Sequence, residues 1–261
     1  MKRQLRIVLP DVHIPFQDDP LLMVWLNQVR ELKPDGIDIL GDLLDCYTLS
    51  IFDKNPARKG TLQDELDMVQ EFLNLLCGRV GMNCDIRYSE GNHEERLRKV
   101  LWRKCPEFAG LRNFTIPELL GLKKLGIKWH SIQNPYCIGG LWFTHGDLLR
   151  AQAGASARAK ADAIRGSVIV GHSHRTGWSP RTTWSGIEDA YDAGHLSDYT
   201  QLDYVRSVPN WQQGWAVVEY PPEGGHCVSF ARIQNVGKKR IVVYRGEVIA
   251  KLGPAKQHTG G

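Results

Sequence analysis

Five short stretches set imidazoles and carboxylates at ligand spacing: Asp11-Val12-His13, Gly41-Asp42-Leu43-Leu44-Asp45, Gly91-Asn92-His93-Glu94, His145-Gly146-Asp147 and Gly171-His172-Ser173-His174. Five of the nine histidines fall in them, beside Asp11, Asp42 and Asn92. Such donors suit hard-to-borderline divalent ions such as manganese, iron or zinc, and the absence of cysteine from these five stretches argues against a structural zinc site. In D-x-H and H-x-H, alternate residues of a locally extended segment point the same way, so both side chains can reach one cluster. The glycines allow tight turns where a bulky side chain would block the approach. Taken singly, each stretch is more often a turn, a cap or a surface histidine than a ligand set. Five of them, each at the end of a strand-like run, specify one binding cluster.

The elements that must position these loops read as an alternation of strand and helix. "LRIVL" (5–9), "IDIL" (37–40) and "CDIRY" (84–88) are strand-like, and so are "LWFTH" (141–145) and "SVIVG" (167–171). Asp19-Pro20 opens a helix with Leu21, Leu22, Trp25, Val29 and Leu32 on one side, stopping before Pro34. Thr61 with Asp64 forms a capping-box start for a second helix striped by Leu62, Leu66, Val69, Phe72, Leu73 and Leu76, ending at Gly78. "EERLRKVLWRK" makes a third, ended by Pro106, and a short helix is expected near "PELLGL". This order predicts a parallel α/β layout, in which ligands bind outside the carboxyl ends of the strands, so the five loops should converge. Beyond residue 174 the pattern turns aromatic and antiparallel-β. Residues 1–252 read as a single domain, with the ligand loops within 11–174, a β-rich part over 175–252 and a flexible tail over 253–261.

The 261 residues are 42% apolar and 24% charged, the balance of an ordinary globular chain with a full core. No apolar run approaches the roughly 18–20 residues that would span a bilayer, so the expected setting is cytoplasmic, without a membrane partner. The six scattered cysteines form no C-x-x-C pair and read as free thiols. A formal charge of +4 permits an anionic partner without demanding one.

The ordered set D-x-H, G-D-x-x-D, G-N-H-E, lone His and G-H-x-H, spanning residues 11 to 174, resembles the calcineurin-like metallophosphoesterases. The resemblance implies a four-layer α-β-β-α sandwich, two mixed β-sheets flanked by helices, holding two divalent metal ions. Manganese is favoured, with iron, zinc, nickel or magnesium compatible. It implies Asp11, His13 and His174 on one ion, Asp42 bridging, and Asn92, His145 and His172 on the other. His93 resembles the family's catalytic histidine, a general acid oriented by Asp45, and a metal-bound hydroxide would be the nucleophile.

The protein phosphatases of the superfamily carry arginines where this chain has Cys46 and Glu90. Lacking that clamp on a monoester dianion, the sequence points to a phosphodiesterase or nuclease, with a phosphomonoesterase acting on nucleotides or phosphoproteins as the alternative. A non-catalytic scaffold is disfavoured because His93, Asp45 and all seven ligands are intact. "DVHIPFQD", "GDLLDCYTLSIFDKNP" and "GNHEERLR" look similar to phosphoesterases of phages and their bacterial hosts, and distantly to recombination nucleases, which implies a bacterial or phage-infected cell and a nucleic-acid substrate. Arg150, Arg158 and Arg175 are the candidate substrate-binding residues. Lys160, Arg165 and the aromatic-basic run Trp178, Arg181, Trp184, Tyr199, Tyr204, Arg206 and Trp211 fit either a stacking platform for a single strand or a core with a solvated face. The irregular segment 185–207 reads as a lid or binding loop, and its His195, like His130, His226 and His258, as a surface histidine. The oligomeric state is open.

Overall fold

In the computed structural model, which describes residues 3–254 except 82, 204 and 206, the predicted alternation forms two sheets. Strands Gln4–Leu9 (β1), Gly36–Ile39 (β2), Asp85–Ser89 (β3) and Lys128–His130 (β4) lie side by side and parallel. Helices Asp19–Leu32 (α1), Leu62–Val80 (α2) and Glu95–Lys104 (α3) make the crossovers, and a short helix, Ile116–Leu119 (α4), precedes β4. The chain then builds a second sheet from Tyr136–Ile138 (β5), Leu141–Thr144 (β6) and Ser167–Val170 (β7), with helix Ala155–Ile164 (α5) between β6 and β7. Strand Thr176–Trp178 (β8) follows, then a hairpin of Arg181–Thr183 (β9) and Gly186–Glu188 (β10), then Ala190–Ala193 (β11), which inserts between β7 and β8. Finally Gly214–Tyr220 (β12), Cys227–Val236 (β13), Lys239–Tyr244 (β14) and Glu247–Leu252 (β15) return to the first sheet as an antiparallel extension beside β1.

The period of two along the strands sorts their side chains into separate layers. Ile7 and Leu9 of β1, Ile37 and Ile39 of β2, and Trp215 and Val217 of β12 pack against α1 and α2. Their alternates Val8, Ala216, Val218 and Tyr220 face the second sheet and meet Phe143, Ile169 and Tyr191. The outer face of the second sheet, Val168 and Val170, packs on Ala157 and Ala161 of α5. The result is the expected four layers, helix, sheet, sheet and helix. Among the described residues no helix is long and apolar enough to cross a membrane.

Local rules account for the helix ends, with two small departures from expectation. The cap of α1 is Asp18 rather than Asp19, its carboxylate accepting from the Leu21 amide, and Lys33 closes the helix in the left-handed region. The Thr61–Asp64 capping box opens α2, which runs one turn past Gly78 to a cap at Gly81, because no glycine φ constraint stops it earlier. A larger departure is β11, which lies inside the segment read as a lid. Ala190–Ala193 is fully buried and pairs parallel to β7 and antiparallel to β8. Four residues with an aspartate among them carry too little apolar periodicity to announce a central strand.

The two sheets also enclose a charge pair at the end remote from the ligand loops. Arg6 donates to both oxygens of Asp38 at 2.8 and 2.9 Å and to Asp85 at 3.0 Å, and the Tyr136 hydroxyl donates to Asp38 at 2.7 Å. Arg6 needs the bare backbone at Gly36, where a Cβ would lie 2.1 Å from its Nη1. Removing one member leaves an uncompensated buried charge. Arg6→Met is therefore expected to lower unfolding free energy by about 3–5 kcal/mol, read as a lower urea midpoint. Adding Asp38→Leu should recover a large part of that loss; a midpoint unmoved by Arg6→Met would contradict the assignment.

Candidate metal centre

All five motif-bearing loops meet at the carboxyl ends of the strands, three from the first sheet and two from the second. Asp11 and His13 follow β1, Asp42 and Asp45 follow β2, Asn92 and His93 follow β3, His145 follows β6, and His172 and His174 follow β7. Donor atoms of Asp11, His13 and His174 lie within 4.8 Å of one another, and so do those of Asp42, His145 and His172. Asn92 joins the second group, its Oδ1 lying 2.9 Å from His145 Nε2.

The candidate ligand segments are not locally extended, contrary to what the D-x-H and H-x-H spacing suggested. Asp11, His13, Asp42, His172 and His174 all hold φ between 38° and 63°. A non-glycine residue there costs on the order of 1–3 kcal/mol and persists only where its surroundings impose it. The impositions are visible. His13 N–H donates to the Asp42 carbonyl at 2.8 Å, and Asp11 accepts the His172 amide at 2.8 and 3.0 Å. Gly171 clears the way, since a Cβ there would lie 2.5 Å from Asp11 Oδ2. Glu94, 1% exposed, ties the loops together by accepting the amides of Asp42, Leu44 and Gly91 and the Tyr88 hydroxyl at 2.7–3.0 Å. Its place in G-N-H-E marked the motif but not this clamping task.

The donors fit a pair of cations. His13 Nε2 and His174 Nε2 face each other at 3.0 Å with Asp11 Oδ1 3.4 Å from the latter, so two ring lone pairs and a carboxylate converge on one point. His145 Nδ1 donates to the Leu40 carbonyl at 2.7 Å, which turns Nε2 toward Asp42 Oδ2 at 3.3 Å. Burial opposes charge on His145, but Asp42 outweighs it and raises the ring to about 10. Burial likewise pushes Asp11 up to about 6.

A third cluster adjoins the first. Asp45 Oδ2 lies 2.8 Å from His13 Nδ1 and 3.1 Å from His93 Nδ1, and the Asp45 carbonyl accepts from His93 Nδ1 at 2.9 Å. Arg96, one turn beyond His93, donates to the Asp45 carbonyl at 2.9 Å and places Nη2 3.0 Å from His93 Nε2. Sequence reasoning passed over Arg96; the only signal was its i, i+3 offset from His93. These groups floor a cleft of about 460 Å³ that also takes in Phe16, Tyr47, Phe52, Leu149 and Trp211.

Arg150, Arg158 and Arg175 lie outside the lining of that cleft. Arg158 is held by Asp162 and by the Ser179 and Glu188 carbonyls, and Arg175 donates to the carbonyls of Asn210, at 3.0 Å, and Arg150. Trp184, fully exposed, stands at the β9–β10 turn, whereas Trp211 packs its ring 4.2 Å from that of His174. His195 is no surface residue: it is 1% exposed and stacked 5.1 Å from His174, because β11 carries it beneath the site. Tyr204, Arg206 and His258 lie outside the described residues.

Two sheets deliver the five motifs to one end of the sandwich. The order of these loops resembles that of the calcineurin-like metallophosphoesterases. No protein-family model matches the sequence. The chain is 27% identical over 226 residues to the Gene 54 protein of Mycobacterium phage L5, covering 81% of this chain and 87% of that one. The Gene 54 protein of Mycobacterium phage D29 is 24% identical over 232 residues, covering 84% and 89%. Among solved structures, Vps29 of Chaetomium thermophilum covers 97% of this chain and 98% of its own at 12% identity, with a TM-score of 0.47.

His145 can ligate only when Nε2 is deprotonated, so it is blocked below its raised pKa and freed as pH rises toward it. Metal affinity should therefore climb with pH, with proton release on loading. Titration calorimetry in buffers of different ionisation heat checks this, and loading without proton release would contradict it. Glu94→Ala should weaken metal binding by about 10–100-fold through the loosened loops; unchanged affinity would deny the clamp.

Proposed function

We propose that the protein is a two-metal phosphodiesterase. The observation that carries this reading is the pairing of two cation-shaped donor clusters with His93 and Asp45 on the floor of one cleft. We assign Asp11, His13 and His174 to one ion, Asn92, His145 and His172 to the other, and Asp42 to both. Bound there, two divalent ions, manganese first among the candidates, would activate water at neutral pH and offset phosphoryl charge.

The chain's own residues supply the rest. A water that has given up one proton to solvent adds its oxygen to phosphorus, the bond from phosphorus to the leaving oxygen breaks, and His93 Nε2 gives that oxygen a proton that solvent then restores to the ring. Asp45 fixes the ring by occupying Nδ1, which aims Nε2 into the cleft. Burial works against the imidazolium, but Asp42 and Asp45 outweigh it and raise His93 above an ordinary histidine. Arg96 must leave Nε2 for that nitrogen to carry a proton, and a substrate phosphoryl oxygen is the natural new partner for its guanidinium.

Arg96 also gives a phosphomonoesterase reading some footing, since it brings a guanidinium to the cleft that the positions of Cys46 and Glu90 do not. One guanidinium among the lining residues suits the single charge of a diester better than a dianion. Relative rates on p-nitrophenyl phosphate and bis(p-nitrophenyl) phosphate separate the two, with the diester expected to be faster.

His93→Ala should retain both metals and lose about 10²–10⁴ in kcat; full activity would remove His93 from the chemistry. Because the acid form is required, activity should fall as pH rises through the raised His93 pKa. In Asp45→Asn that alkaline limb should move to lower pH. A limb that stays in place would show that Asp45 does not support the charge.

A further inference from the structure

We infer that the substrate is a compact phosphodiester bearing one flat aromatic group, of the nucleoside class, and not a strand of DNA or RNA. The inference rests on the phosphodiesterase reading above, and the juxtaposition that carries it is an apolar mouth on a cleft nearly free of fixed cations.

The mouth is built from both sheets. Phe16, Tyr47 and Phe52 come from loops after β1 and β2, Leu149 from the loop after β6, and Trp211 from the approach to β12. Phe52 is 68% and Leu149 60% exposed, although both border the buried polar floor. Large apolar side chains left in water around a polar floor are the usual makings of a small-molecule site, and the volume of about 460 Å³ lies within the roughly 300–1,000 Å³ range of such sites.

Charge argues the same way. A single strand needs cations that follow its phosphates, together with surfaces on which its bases stack. Among the described lining residues Arg96 is the one lysine or arginine, whereas Asp53 and Asp203 add carboxylates beyond those of the candidate metal set. Nearby Arg58 is engaged by Asp203 at 2.9 and 3.1 Å and lies 4.5 Å over the Phe16 ring. Arg158 and Arg181, which the sequence offered as strand contacts, are paired with Asp162 and Glu188. One phosphate at the metal floor and one flat group at the mouth satisfy this lining; a row of phosphates does not.

The test compares two diesters with the same leaving group, thymidine 5′-(p-nitrophenyl phosphate) and methyl p-nitrophenyl phosphate, with a single-stranded and a duplex oligonucleotide, on the manganese-loaded full chain. The nucleoside ester should exceed the methyl ester by about tenfold or more in kcat/KM, the return of one stacked ring. That ratio should collapse toward one in Phe52→Ala/Leu149→Ala. A second readout is calorimetric binding of thymidine 5′-monophosphate to metal-loaded His93→Ala, which the two added substitutions should weaken about tenfold. Oligonucleotides cleaved more efficiently than the nucleoside ester, with a steep loss between low and high salt, would overturn the inference while leaving the phosphodiesterase standing. Nucleotide binding that depends on Phe52 and Leu149, without hydrolysis of any diester, would retain the aromatic subsite and remove the phosphodiesterase. A ratio and an affinity both indifferent to the double substitution would overturn the inference outright.

Discussion

Asp11 and Asp42 are carboxylates almost without exposure, and four imidazoles converge on them within a few ångström. Such a concentration of polar atoms away from water is unfavourable unless positive charge lies among them. The rest of the site can be read as the apparatus that holds this arrangement together. Glu94 gathers three loop amides, Gly171 leaves space for Asp11, and bonds such as His13 N–H to the Asp42 carbonyl and the His172 amide to Asp11 hold candidate ligand residues in left-handed conformations. Cations would turn the assembly from a strained cluster into a satisfied one, coupling metal uptake to loop order.

The sandwich is what makes the convergence possible. Neither sheet alone supplies a full set: the first brings Asp11, His13, Asp42 and Asn92, the second His145, His172 and His174. Their relative placement rests on the inter-sheet layer of Val8, Phe143, Ile169, Val218 and Tyr220, and on the Arg6–Asp38–Tyr136 group at the opposite end. A buried ion pair of that kind contributes little net stability when complete and is costly when broken. Its position between the sheets suits it to fixing their registration.

Much of this was legible in the sequence because loop chemistry is written in short contiguous strings. Strand-like runs ending in Asp11, Asp42, Asn92, His145 and His172 announced a common crevice, and the alternation of strand and helix announced the parallel part of the first sheet. What escaped depended on contacts between distant residues. β11 is too short and carries Asp192, whose oxygen caps the Gly154 amide at 2.6 Å, so no pattern marked it as central. The arginines at 158 and 175 looked available because sequence does not reveal the carboxylates and carbonyls that engage them. Arg96 drew no notice within "EERLRKVLWRK", although the first turn of α3 delivers it to His93 and Asp45. The left-handed ligands escaped for a related reason: the conformation is imposed by neighbouring loops and not by any glycine at those positions.

The two-ion centre is the claim on which the rest turns, and manganese reports on it directly by electron paramagnetic resonance. Titration of the metal-free protein should bind two equivalents and end in the spectrum of an exchange-coupled pair, as expected for ions about 3.5–4 Å apart. Saturation at one equivalent with an isolated six-line signal, or no tight binding at any pH, would contradict the account.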